Sequence, residues 1–367
     1  MSDRNIFDEL MKLLNQPGPV NWALAEQIAG HMSGGRQPID PWVAEEYIDL
    51  TRLAQMRVGA ATGLDAGPLV DTIPLDRAEW SSRNLQSFRY LVEPIAAKLA
   101  DAPSAGPIDA VLKPLGPALV GMQMGVMVGF LSQHVLGQFD VGLPTAEQGD
   151  IYYVVPNIEA FTEDHGLDPR QVRLWVALHE VTHQVQFARP WVRPYFASLI
   201  DQLIASLEID TSSFGASLED FNDPERMQEL LQEGGGGLPS FLSGAAQGPH
   251  LEAIQAFMAI VEGYGDHVMD GAAEDLLPDL GAMREAMQVR RRDSGSDTDL
   301  VGRLLGLEAK RAQYAAGAGF CREVEIRFGE EALRKVWASA DNLPTLSELD
   351  DATGWAARVL LEDPFSD

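Results

Sequence analysis

His179 and His183 lie four residues apart, with Glu180 beside the first, in the segment His179-Glu180-Val181-Thr182-His183. At 3.6 residues per helical turn this spacing stacks both imidazoles on one face, where they can reach a single divalent ion. Glu180 is rotated by about 100° from His179, close enough to hold a water beside that ion. A zinc ion with three protein ligands keeps a fourth position for water and lowers the pKa of that water to about 7. Glu180 would take the proton as the water attacks a carbonyl, then deliver it to the leaving group. The chemistry indicated is hydrolysis at one Zn2+ per chain.

The third ligand is expected from a second helix. In Val261-Glu262-Gly263-Tyr264-Gly265-Asp266-His267 the carboxylates of Glu262 and Asp266 are four residues apart and share a face. That suits Glu262 on the metal, with Asp266 behind it orienting a ligating histidine through its far ring nitrogen. Two acids that follow Ile254, Phe257, Met258 and Val261 on an apolar helix are costly to bury unless a metal and a histidine neutralise them. His267 is the alternative metal ligand. It stands five residues beyond Glu262, about 140° round the helix, so the two compete for one place. Glu262 is favoured because Asp266 then has a purpose.

These side chains need elements to position them. Asp168-Pro169 starts the histidine-bearing helix with a capping acid and a proline at the first helical position, and Pro190 limits it near Phe187. Upstream, Gly137 to Asp150 reads as loop, and Ile151 to Val155 is the best strand candidate, stopped by Pro156. Further helices are expected over Asn21–Ala29, Pro41–Ala60 with Asp40 as its cap, Ser81–Leu99, Trp191–Ile209, Pro249–Met269, Leu280–Gln288 and Leu300–Phe328. Strand is scarce, so the fold class expected is mainly α with a small β-sheet near the metal site.

Three regions are anticipated within one compact unit. Residues 1–140 form an N-terminal helical region, 141–330 the catalytic region and 331–367 an acidic C-terminal helical segment. Within the second, about 211–248 is an acidic, glycine-rich insertion with at most one helix near Pro224–Gln232.

Leu115 to Leu131 is strongly apolar but carries Pro117 and Gln123, and Gly121, Gly125 and Gly129 leave one helical stripe nearly bare. In lipid that spacing favours helix dimers. In a soluble protein it marks a central helix closely approached by another backbone, and this reading is preferred.

The 367 residues carry a net charge of −28, with 55 acidic against 27 basic side chains. Such a field repels polyanions and disfavours nucleic acid and anionic membranes as partners. The single cysteine, Cys321, permits no internal disulfide and fits a reducing compartment. The N-terminal stretch has scattered charges and no apolar core of a secretory signal, so a cytoplasmic location is expected.

The pattern His179-Glu180-x-x-His183 followed by Glu262-x-x-x-Asp266 resembles the gluzincin arrangement of zinc metallopeptidases. The chain is also similar to the zincin-2 family of actinobacteria and Chloroflexi, described as zinc metalloproteases or coenzyme F420 biosynthesis-associated proteins. The matching stretches are LGQFD at 136–140, PNI at 156–158, HEVTHQVQF at 179–187, VEGYGDHVMD at 261–270 and LLGLEAKRAQYAAGAGF at 304–320. The resemblance implies His179, His183 and Glu262 as zinc ligands, Glu180 as general base and Asp266 as the supporting acid. The gap from His183 to Glu262 is far longer than in compact gluzincins, which bears on peptide-bond cleavage more than on metal binding.

Zincins place an edge strand beside the metal helix to pair with extended substrate. By that analogy Tyr153, in the Tyr152–Val155 run, and Asn157 are candidates for substrate binding. An oxyanion stabiliser is also required. Tyr314 is the first candidate, with His250 and His165 behind it. The function expected is a zinc-dependent hydrolase acting on a peptide or small amide. The alternatives are a zinc-stabilised scaffold without turnover and a small-molecule amidohydrolase linked to cofactor metabolism.

Overall fold

Helical periodicity dominates this chain, and the computed structural model is mainly α with one three-stranded sheet. It describes residues 17–67, 70–101, 115–140, 149–207, 249–273, 275–293 and 311–361, without the side chains of 270, 291–293 and 311–314. The expected insertion at 211–248 and residues 300–310 of the expected Leu300–Phe328 helix lie outside the described residues.

Helix α1 (Trp22–Met32) is capped by Asn21, whose Oδ1 accepts from the Leu24 N–H at 3.1 Å. Helix α2 (Pro41–Thr62) starts after Asp40, but the Asp40 side chain makes no capping hydrogen bond. Here the fixed φ of Pro41 supplies the helical start, and the anticipated cap is absent. Strand β1 (Thr72–Leu75) was not anticipated. It contains Pro74, which marks an edge strand and masks the pattern in sequence.

The single helix expected over Ser81–Leu99 is two, α3 (Arg77–Ser87) and α4 (Arg89–Asp101), broken at Phe88. The true start of α3 is Asp76, whose Oδ1 accepts from the Glu79 N–H at 2.7 Å. Ser81 is instead an interior residue, its hydroxyl 2.7 Å from that of Ser33. Pro94 inside α4 cannot donate to the Tyr90 carbonyl, which weakens the helix near its start.

Helix α5 (Gly116–Ser132) holds the glycine stripe, and α1 lies in it. A Cβ at Gly121 would come 2.3 Å from Asn21 O, and one at Gly125 would come 2.8 Å from Ala25 O. The stripe therefore serves close packing between two helices of the core. Among the described residues, no helix is long and apolar enough to cross a membrane.

Strand β2 (Gly137–Phe139) falls in the stretch read as loop. Strand β3 (Ile151–Val154) follows and leads directly into α6 (Val155–His165). The sheet order is β1-β3-β2, with β1 parallel and β2 antiparallel to β3. Strand β3 is thus central, buried at all four positions, and β1 and β2 are the two edges. The expectation of an exposed edge at Tyr152–Val155 is corrected. A continuous apolar run marks a strand covered on both sides, whereas the β2 edge was too short to show a pattern.

Helix α7 (Pro169–Phe187) matches its expected bounds, with Asp168 Oδ1 accepting from the Gln171 N–H at 2.9 Å. Every residue from Val172 to Phe187 is buried, so α7 is the axis of the fold. It packs against α2, β2 and α9 (Pro249–Ala273). Helix α8 (Val192–Ser206) also packs on α9.

Helix α10 (Leu280–Asp293) follows, and then α11 (Arg311–Phe328), which makes with α9 the most extensive helix pairing. Short α12 (Glu330–Lys335) and α13 (Ala352–Val359) are the last of the described α-helices. Among the described residues, most of the buried apolar side chains form one cluster from Val20 to Ala356.

Candidate metal centre

Three side chains from two helices converge between α7 and α9. The Nε2 atoms of His179 and His183 are 3.1 Å apart. Glu262 Oε2 lies 3.9 Å from His179 Nε2, and its Oε1 lies 3.8 Å from His183 Nε2. All three residues are buried, and their ligand atoms fall within 4.8 Å of one another.

Tetrahedral zinc with bonds of about 2.0–2.2 Å separates its ligand atoms by about 3.3–3.5 Å. The observed distances bracket that spacing, so the donor set fits the ion. Two imidazoles and one carboxylate are also the composition of an open zinc site, with one position left for water or substrate.

Each of the two histidines has a partner behind it. Gln186, fully buried one turn after His183, places Oε1 2.8 Å from His183 Nδ1. Its Nε2 donates to the Val261 carbonyl of α9 at 2.8 Å. His179 Nδ1 lies 3.2 Å from the thioether sulfur of Met269. Gly265, one turn beyond Glu262, lies under both rings, where a Cβ would be 3.5 Å from His183 Cε1. Glu262, Gly265, Asp266 and Met269 therefore form one face of α9. Asp266 is half-buried on it.

Glu180 is buried beside the histidines. Burial pushes its carboxyl up to about 7, opposed by His183, reinforced by Glu262 and opposed again by a hydrogen bond from the Phe139 backbone N–H. The sheet explains that bond. Val154 N–H donates to Leu136 O and Asp140 N–H to Asp150 O, so Gly137 and Phe139 direct their backbone groups away from β3. One of these outward donors meets the Glu180 carboxylate. Gly137 is required as well, because a Cβ there would stand 2.6 Å from Glu180 Oε1.

The crossing of α9 on α11 sets the place of Glu262. A Cβ on Gly263 would come 2.3 Å from Ala318 N, and one on Gly317 would come 2.0 Å from Ala259 O. Two bare backbones touch immediately beside Glu262.

The other sequence candidates lie elsewhere. His267 is on the opposite side of α9, its Nε2 3.3 Å from Glu325 Oε2 in a separate cavity of about 420 Å³ that Arg322 and Arg334 also line. The 140° rotation that set it against Glu262 removes it from the centre. Tyr153 is a core residue: its hydroxyl is 2.8 Å from Thr51 Oγ1 and its ring stacks on Tyr47 at 4.7 Å. Asn157 is buried, with Nδ2 donating to the carbonyls of Ser132 and Val135 and Oδ1 accepting from Arg77 Nε. Its amide is committed to holding the start of α6.

His165 is exposed at the end of α6, and His250 sits in the first turn of α9, about 18 Å along the helix from Glu262. The side chain of Tyr314 lies outside the described residues.

Sequence reasoning missed Gln186, Met269, Gly137 and the Phe139 N–H. Gln186 was within reach, since a residue three positions after His183 shares its helical face. The Gly137 and Phe139 contributions depend on a strand pairing that three residues cannot announce.

A family model described as zincin-like metallopeptidase matches residues 20–356. Among solved structures, the chain is similar to a protein from Chloroflexus aurantiacus, whose crystal structure is described as that of a candidate hydrolase with a novel fold. The two share 30% identity over 94% of this chain and 99% of the other, with a TM-score of 0.69. No curated protein matches the chain.

Proposed function

The chain belongs to the zincin-like metallopeptidase family, and from that premise we propose that it is a zinc-dependent hydrolase of peptide or amide bonds, with Glu180 as its general base. The observation that carries this reading is the convergence of His179, His183 and Glu262 within 4.8 Å beside a buried carboxylate raised to about 7.

His179 and His183 from α7 and Glu262 from α9 would hold the zinc. Bound there, zinc supplies Lewis acidity, which polarises a carbonyl and makes water a nucleophile near neutral pH. Glu180 takes the proton of the attacking water and passes it to the departing amine. The Phe139 N–H fixes the carboxylate while it does so. Asp266, one turn beyond Glu262, is assigned as the acid that supports the ligands. The outward edge of β2 is the surface on which an extended substrate can add a strand, with Gly137 offering its backbone groups.

The test is cleavage of a peptide library by zinc-loaded protein, read by mass spectrometry, with Glu180→Gln beside it. Wild type should cut, and Glu180→Gln should retain zinc while losing at least about 100-fold in rate. Cleavage of small amides alone would move the substrate class. Equal rates for the two proteins would remove Glu180 as the base.

A further inference from the structure

We infer that Gln186 is a positioning residue that selects the metal-binding tautomer of His183 and, through the same amide, joins the two ligand-bearing helices. The inference rests on the metal centre proposed above, but its geometry is independent of any turnover.

Hydrogen-bond chemistry leaves one arrangement. The Val261 carbonyl only accepts, so the Gln186 atom 2.8 Å from it must be the NH2 donor. That orients the amide and leaves the Gln186 carbonyl oxygen facing His183 Nδ1 at 2.8 Å. A carbonyl oxygen only accepts, so His183 Nδ1 must carry the proton. The lone pair of a neutral His183 is then on Nε2, the nitrogen that faces His179 Nε2 and Glu262. The chain from Val261 through Gln186 to His183 thus sets which nitrogen can ligate.

The same chain spans α7 and α9. Val261 immediately precedes Glu262, so the carbonyl that anchors Gln186 sits in the turn that presents the acidic ligand. A buried amide with both ends engaged has one rotamer, and His183 inherits that order. Gln186 is fully buried, and both ends of its amide are engaged by protein groups. Its effect on chemistry passes through His183.

Partners of this kind contribute about 10–100-fold to metal affinity. Zinc affinity should therefore be measured by chelator competition for wild type, Gln186→Leu, Gln186→Met and Gln186→Glu. The apolar variants should bind about 10–100-fold more weakly. Gln186→Glu should recover part of the loss, because its carboxylate still accepts from Nδ1 but can no longer donate to the Val261 carbonyl.

Cobalt substitution adds a spectroscopic reading. The visible bands of the apolar variants should shift from wild type, while those of Gln186→Glu should lie between the two. Circular dichroism of each metal-free variant separates a misfolded chain from a misplaced ligand, and Gln186→Met stands in if Gln186→Leu fails to fold.

Ring-nitrogen chemical shifts of His183 in the metal-free protein give a zinc-independent answer. Wild type should show the Nδ1–H tautomer, and Gln186→Met a mixture. Wild type that takes up no zinc yet shows this tautomer overturns the metal-centre reading and leaves standing only the assignment of the tautomer to Gln186. Apolar variants with wild-type affinity, or a wild-type His183 protonated on Nε2, overturn the Gln186 inference.

Discussion

At the scale of single residues, the proposed chemistry centres on Glu180. A glutamate ordinarily ionises near 4.5, and burial in this site raises the value to about 7. Below about 4.5 the folded and unfolded chains both hold the proton, and the folded state has its full advantage. As pH climbs towards 7 the unfolded chain gives up the proton while the folded chain retains it, and that advantage is lost. The shift corresponds to about 3 kcal/mol.

Metal-free Glu180→Gln should therefore be more stable than metal-free wild type at pH 8 by an amount of this order, and nearly equal to it at pH 4.5. Urea titrations in the presence of chelator at the two pH values check this. Zinc beside the carboxylate favours its charged form, so the difference should shrink in loaded protein. A gain that is the same at both pH values would mean that packing, not ionisation, is responsible. The Cys321 thiol, raised by burial and enclosed in the core, has no part in this pH range.

At the scale of elements, α9 carries different tasks on different faces. One face presents Glu262, another touches the bare backbone of α11 at Gly263, and a third lines the cavity that contains His267. Glycine in a helix interior costs about 1 kcal/mol relative to alanine, so alanine should help wherever it fits. At Gly271 nothing lies within 4 Å of an added Cβ, and Gly271→Ala should stabilise by up to about 1 kcal/mol.

At Gly263 the added Cβ would meet backbone at 2.3 Å, and overpacking of that kind costs about 1–3 kcal/mol or more. Gly263→Ala should be net destabilising and should also weaken zinc binding, because α9 must move away from α11 and carry Glu262 with it. Thermal melts and chelator competition on the two alanine variants check the pair. A neutral Gly263→Ala would show that the helices separate freely at this crossing.

At the scale of the whole molecule, the candidate metal site ties together segments remote in sequence. His183 and Glu262 are separated by 79 positions, and the unfolded chain offers no preformed site. A ligand that binds only the folded state stabilises it by about 4 kcal/mol at a concentration 1,000 times its dissociation constant. Zinc should therefore raise the melting temperature in a concentration-dependent way, and chelator should reverse the gain. His183→Ala and Glu262→Ala should each abolish most of that response. A wild-type melt indifferent to zinc and chelator would show that the site holds no zinc at the concentrations tested.

What the sequence by itself determined was whatever local spacing encodes. The turn of an α-helix places His179, Glu180 and His183 relative to one another, and Asp168-Pro169 starts that helix where expected. The same rule put Glu262 and His267 on different sides of α9, and the glycine stripe of α5 read as a contact for another backbone.

Tertiary structure alone decided which elements meet. It made β3 central with β1 and β2 at the edges, held Tyr153 and Asn157 in structural contacts, and gave the Glu180 carboxylate its donor in Phe139. It also brought the Gln186 amide to the Val261 carbonyl and Gly263 against Gly317. The physical reason is that a helix's internal geometry is fixed by bonds within a few residues. Contacts between elements depend on the simultaneous packing of the whole core, which no short stretch of sequence contains.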